Sequence, residues 1–131
     1  MALKLTLKPG EKIAINGAVV VNGERRTEFV IENMASILRE SDIMRAEEAT
    51  TPARLIYLPV MMMALDSGCR KSLFAEFDKR LTEFASVLSD PAALSLCLKI
   101  SAAVANGAYY KALGHCRSLM EFENERLSHV A

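Results

Sequence analysis

Hydrophobic and polar positions alternate from the start of the chain. Leu3, Leu5 and Leu7 are interleaved with Lys4, Thr6 and Lys8. A period of two sends the leucines to one face of a strand and the lysines and threonine to the other. Pro9-Gly10 breaks the run, because proline cannot donate to a ladder and glycine admits a tight turn. Glu11 to Ile15 resumes the alternation, with Ile13 and Ile15 inward. Asn16-Gly17 then predicts a two-residue hairpin turn, since both central positions of a type I′ turn need positive φ. The pattern predicts an opening β-meander with one apolar face and one face dotted with cations.

Ala18 to Val21 is β-branched and reads as a buried strand. Asn22-Gly23 reads as a second hairpin turn, and Arg25 to Glu32 as the return strand. Ala35 to Arg39 completes five short strands after Asn33. So small a sheet cannot cover both of its faces. It needs either a second copy of itself or the helices that follow.

Those helices begin after an acidic connector, Glu40 to Glu48. Thr51-Pro52 is a helix start, with Thr51 as N-cap and proline in the first turn. This helix should reach about Asp66 and bend at Pro59. Val60 to Met63 make it apolar on nearly every side, and Ser67-Gly68 ends it. In the next, Leu73, Phe74, Phe77, Leu81, Phe84 and Leu88 form one stripe at helical spacing. Ser89-Asp90-Pro91 stops that helix and caps another, lined by Leu94, Cys97, Leu98, Ser101 and Val104. The last runs from about Ala108 to Leu127, with Tyr109, Leu113, Cys116, Met120 and Leu127 on one side. Antiparallel helices with short links read as a helical bundle. The expected fold is α+β: a small N-terminal antiparallel sheet or barrel over residues 1–48, then the bundle over 49–131.

Composition narrows the function. The 131 residues are 51% hydrophobic, enough to bury a core. Sixteen cations balance sixteen anions, so any nucleic-acid site is a local patch and not a global basic field. Cys69, Cys97 and Cys116 have no disulfide or zinc spacing and read as buried thiols of a reducing compartment. No secretory signal is legible, and the apolar run Leu55 to Leu65 is too short for a bilayer. His115 and His129 lie near the C-terminus with no nucleophile motif around them, and Gly10, Gly17 and Gly23 belong to turns. Neither an enzyme nor a cofactor or metal site is expected.

Two surfaces remain as candidates. Lys4, Thr6 and Lys8 could meet phosphates and base edges from the polar strand face. Arg39 could stack on a base or bind it through a bidentate fork. Arg25 and Arg26, beside a turn, could add phosphate contacts. Alternatively, Met61, Met62 and Met63, with Tyr109 and Leu113, could line a groove for an amphipathic partner helix.

The pattern L-x-L-T-x-K-x-G-E-x-I-x-I resembles the opening of the carbon storage regulator CsrA, an RNA-binding β-protein. Ile37 to Ile43, ILRESDI, resembles that family's last strand and helix start. Over the whole chain, LKLTLKPGEKIAINGAVVVNGERR, ILRESDIM and TTPARLIYLPVMMM resemble the FlbT family of flagellin regulators. The resemblance implies a cytoplasmic, homodimeric regulator acting on the 5′ leader of flagellin messenger RNA, by repressing translation or altering message stability. It also implies FlaF and flagellin as partners. The CsrA likeness places Lys4, Lys8 and Arg39 at the RNA, on the first strand of one subunit and the last strand of the other. In the competing reading the β-module is only a scaffold, and the helical half binds flagellin or FlaF without touching RNA.

Overall fold

The computed structural model describes residues 2–130, and side chains as far as residue 126. The chain divides into two compact units between Ile43 and Met44.

Among the described residues the first unit holds five antiparallel strands in two sheets. Strand β1 (Leu3–Leu7) pairs with β4 (Thr27–Ile31), setting Leu5 opposite Phe29. Strand β2 (Lys12–Ile15) is central to a second sheet, between β3 (Ala18–Val21) and β5 (Ile37–Arg39). The alternation read at β1 and β2 now has a target: Leu5, Leu7 and Ile13 are buried together, flanked by Ile15, Phe29, Ile31 and Ile37. Asn16 and Gly17 have φ of 49° and 87°, the positive values that a type I′ hairpin requires.

Strand partners differ from expectation. β1 pairs with β4 and not with β2, so the opening is not a meander. Asn22-Gly23 makes no β3–β4 hairpin, and among the described residues no barrel closes. Strand β3 is also exposed along its whole length, with Val19 57%, Val20 41% and Val21 59% accessible. β-Branched residues specify an extended backbone and not its burial. As an edge strand, β3 has a neighbour on one side only.

Among the described residues the second unit is a bundle of four helices: α1 (Pro52–Leu65), α2 (Arg70–Ser86), α3 (Pro91–Ala105) and α4 (Tyr109–Val130). Short 3-10 turns occupy the acidic connector at Glu40–Asp42 and Ala46–Glu48. Helix α1 starts where Thr51 accepts the Arg54 N–H at 3.3 Å. The Glu123 carboxylate of α4 accepts the Ala53 N–H at 3.0 Å. Two first-turn donors, which have no partner inside the helix, are thus satisfied. α1 packs chiefly against α2 and α4, and α3 against α4. It buries Ile56, Tyr57, Val60, Met61 and Met63. None of the described helices is long and apolar enough to cross a membrane.

The α2 stripe holds at Phe77, Leu81 and Phe84, which are buried, whereas Phe74 is half exposed. In α3 the phase is shifted: Ala93, Cys97, Ile100, Ala103 and Val104 face the core, while Leu98 and Ser101 are exposed. Apolar residues lie on more than one side of α3, so spacing alone admits either phase. In α4, Ala112, Leu113, Cys116 and Leu119 are buried and Tyr109 and Met120 are half-buried. The side chains of Leu127 and His129 lie outside the described residues.

Cys97 and Cys116 are core thiols, and burial pushes Cys116 up to about 12 and Cys97 upward. Cys69 differs from expectation. It lies at the half-exposed start of α2, its Sγ donating to the Asp66 carbonyl at 3.1 Å. At about pH 8 a water-soluble disulfide reagent should therefore titrate one thiol in native protein and all three after unfolding. Equal labelling of three thiols in native protein would contradict this core.

Asp90 caps α3, its carboxylate accepting the Ala92 and Ala93 N–H groups at 2.8 and 3.2 Å. The Ala93 amide chiefly, with Ala92 and Arg126, holds this carboxyl below its usual range, against the opposing effect of desolvation. A group depressed on folding adds stability above its unfolded pKa and loses it as pH falls through the folded value. Melting temperatures of wild type and Asp90→Ala should therefore differ near neutrality and converge well below about pH 4. A constant difference down to strong acid would show that the carboxylate's charge does not matter to the cap.

Candidate functional site

The site begins at the break after β1. Lys8-Pro9-Gly10-Glu11 closes as a four-residue turn, the Lys8 carbonyl accepting the Glu11 N–H at 3.1 Å. Proline at its second position and glycine with φ of 71° at its third are the pattern of a type II turn. The Glu11 carboxylate accepts the Lys8 N–H at 2.8 Å, tying the turn from the side-chain side.

Asn22 fastens this turn to the rest of the unit. Its Nδ2 donates to the carbonyls of Lys8 (2.8 Å), Arg25 (2.9 Å) and Leu7 (3.2 Å). Its Oδ1 accepts from the Gly23 N–H at 2.9 Å and the Thr27 hydroxyl at 3.0 Å. The Gly10 N–H donates to the Gly23 carbonyl at 3.0 Å. The end of β1 is thereby held against the chain leaving β3, and the backbone of Arg25 beside that of Lys8.

Arg39 arrives from the other sheet. It ends β5 opposite Ile13 of β2, and the 3-10 turn of Glu40 and Ser41 follows. An open concavity of about 400 Å³ lies between the Lys8–Glu11 turn and the Arg39–Ser41 segment. Lys8 and Arg39 meet there within one chain, although the resemblance to CsrA set them on different subunits. The Arg39 side chain is exposed and has no hydrogen bond or ion pair among the described residues. Glu11 and Glu40 also line the cavity, so its cations and carboxylates balance locally as they do over the whole chain.

The other predicted RNA residues are dispersed. Lys4 forms an exposed ion pair with Glu28 across the β1–β4 sheet, at 3.3 Å. Thr6 stands half-buried opposite Glu28, and neither Lys4 nor Thr6 lines the cavity. Arg25 and Arg26 are exposed in the segment before β4. Sequence reasoning missed Glu11, Glu40 and Ser41 as cavity walls and Asn22 as the clamp. The Lys8–Glu11 turn was legible, but nothing local says which carbonyls an asparagine fourteen residues later will reach.

The predicted partner groove is not present as a surface. Met61, Met63 and Leu113 are buried, and only Met62 of the methionine run is exposed. A helix packed on two sides has few positions left for solvent, and consecutive residues point about 100° apart. Tyr109 is engaged within the chain, with the Arg70 guanidinium 4.4 Å above its ring centre. No cluster of histidine, cysteine and acidic residues that could hold a metal occurs among the described residues.

Comparison with known proteins gives a consistent picture. Residues 3–127 match the family described as "Flagellar protein FlbT". A "Probable flagellum biosynthesis repressor protein FlbT" from Caulobacter sp. (strain K31) is 54% identical over the full length of both chains. The "Flagellum biosynthesis repressor protein FlbT" of Caulobacter vibrioides is 53% identical over all of this chain and 93% of its own. A relative from Rhodopseudomonas palustris is 40% identical over 98% of this chain and 99% of its own. No solved structure matches the chain.

Removing the clamp tests the site's construction. Asn22→Ala strips hydrogen bonds from the Leu7, Lys8 and Arg25 carbonyls and should destabilise the β-unit by about 1–3 kcal/mol. Amide hydrogen exchange should accelerate at Gly10, Glu11 and Thr27 while α1 and α4 keep their protection. Unchanged exchange around the turn would show that Asn22 does not hold it.

Proposed function

The chain belongs to the FlbT family, and from that premise we propose that it represses flagellum biosynthesis after transcription, by binding the leader of flagellin messenger RNA. It acts in the cytoplasm as a regulator and not as an enzyme. The observation that carries the RNA reading is the meeting of Lys8 and the unpaired Arg39 at one concavity. Its volume of about 400 Å³ falls in the range of small-molecule sites and suits one unstacked base. Single-stranded RNA offers such bases, and a guanidinium can stack on them or fork to their acceptors.

The carboxylates in the same wall sharpen the reading. The Glu11 carboxylate is occupied by the Lys8 N–H, whereas Glu40 is exposed and its carboxylate accepts from nothing among the described residues. Glu40 is therefore available to an exocyclic amino group, while Lys8 and Arg39 take acceptor atoms and phosphate. A mixed wall of this kind favours base recognition over generic backbone affinity. The CsrA-like motifs on β1 and β5 support the same placement, and the exposed Arg25 and Arg26 before β4 could add phosphate contacts outside the cavity. Occupancy of the leader would block ribosome access or alter nuclease access. A homodimer would carry two such sites and could grip one leader at two points. The alternative, FlaF or flagellin bound in the groove of Met61, Met62, Met63, Tyr109 and Leu113, is not favoured, because most of that set is spent in the core.

Binding of a labelled flagellin leader, measured across a salt series, tests this. Wild-type affinity should fall with salt at a log–log slope of roughly −0.7 per phosphate contact. Arg39→Ala should weaken binding about tenfold or more, and Lys8→Ala should also flatten the slope by about one contact. Lys4→Ala should have little effect. Salt-independent binding, or equal loss from Lys4→Ala and Arg39→Ala, would move RNA contact away from the cavity. No binding at concentrations far above about 1 μM would sink direct recognition.

A further inference from the structure

The helical unit carries a second guanidinium without a partner, and this one is not in free solvent. The Nε of Arg80, midway along α2, is buried and has no hydrogen-bond acceptor. Arg80 has no ion pair among the described residues either. It lines a cleft of about 230 Å³ together with Pro52 and Leu55 of α1 and Glu83, Phe84 and Val87 at the end of α2. A guanidinium is always charged and offers only donors. The buried Nε–H is closed to water, so an anion placed in the cleft would meet the other donors of the guanidinium. Neighbouring Glu83 is exposed and does not pair with it.

The rest of the wall is apolar. Phe84 is buried behind the cleft and Leu55 is half-buried. Val87 stands 81% exposed at the rim. An occupant must bring both an apolar body for these side chains and an anion for Arg80. A volume of about 230 Å³ is below the range of pockets that enclose whole drug-sized ligands. It holds one residue and leaves the remainder outside. A phosphate or an internal acidic side chain would supply charge without the apolar body.

We propose that this cleft captures the C-terminal residue of a partner polypeptide, its apolar side chain against Leu55, Phe84 and Val87 and its terminal carboxylate on the Arg80 guanidinium. A terminal residue alone among polypeptide residues joins an apolar side chain to a full negative charge a few bonds away. Two parallel N–H donors of arginine match a carboxylate in bidentate fashion. The exposed rim at Pro52 and Val87 gives the rest of the partner a way out. This site is on the helical unit and does not depend on the RNA reading.

The test uses the full chain, 15N-labelled, titrated with a tetrapeptide probe, acetyl-GSGL with a free C-terminus. Amide shifts should concentrate at residues 52–55 and 80–88. The same peptide with a C-terminal amide should bind about tenfold more weakly, the loss of one charge-assisted contact. Arg80→Gln should bring the acid form down to the level of the amide. Val87→Glu, at an exposed position, should repel the acid form selectively while leaving the helices intact. Equal affinity of acid and amide forms would overturn the proposal. So would retention of the preference in both variants, or the absence of shifts at about 10 mM peptide. Hexanoate binding as tightly as the peptide would transfer the site to a small aliphatic acid and overturn the polypeptide assignment.

Discussion

The amide of Asn22 is the interaction on which the β-unit depends. The five strands form two sheets that share no ladder among the described residues. Packing of Leu5 and Leu7 against Ile13 holds them by area, which is non-directional. Asn22 supplies the direction. It leaves β3 of one sheet and donates to the carbonyls that end β1 of the other. Two N–H groups serve three carbonyls, so one hydrogen is shared, while the carbonyl end is fixed by Gly23 and Thr27. The Lys8–Glu11 turn is rigid because this amide and the Glu11 carboxylate close it from two sides. One wall of the concavity follows from that, and the other from the end of β5.

Much of the secondary structure was legible because its signals are local. Proline and glycine placed the turn after β1, Asn16-Gly17 the hairpin, Thr51-Pro52 and Asp90-Pro91 the helix starts. Each is a property of a few consecutive residues, and each recurs in the structure with its hydrogen bond or its φ. Pairing was not legible. Alternation says which face of β1 is apolar, and it says nothing about whether β2 or β4 lies alongside. Ala18 to Val21 shows the same gap in another form, since four extended apolar residues suit a core strand and an edge strand equally. The α3 phase failed because Leu94 and Leu98 compete with Ala93, Ile100 and Ala103, and small residues carry little weight in a pattern although they permit close helix approach.

The candidate site was half legible for a related reason. Lys8 and Arg39 could be singled out one at a time, from strand alternation and from motif resemblance. Their meeting within a single chain depends on β5 pairing with β2 across 22 to 26 residues of chain, beyond the reach of any local pattern. The carboxylates that share the wall were invisible in the sequence, where Glu11 and Glu40 read as ordinary turn residues. They leave the wall as balanced in charge as the whole chain, with Lys8 and Arg39 facing Glu11 and Glu40. Screening limits the influence of distant charges to about 8 Å at physiological ionic strength, so what a base at the proposed site would meet is the four charged side chains of the wall and not the sum over the chain.

Arg39 and Arg80 make the contrast that joins the two units. Both guanidinium groups lack an internal partner, yet their free energies differ. Arg39 is exposed and loses nothing while it waits, because water satisfies its donors. Arg80 has its Nε buried without an acceptor and lines a cleft together with Phe84. A donor left unpaired in that setting costs on the order of 1–3 kcal/mol. Folding alone would be better served there by a side chain without charge, such as leucine or methionine. An exposed cation therefore needs no explanation beyond solubility, and its role rests on the cavity around it. A half-buried, unpaired one works against the stability of the bundle.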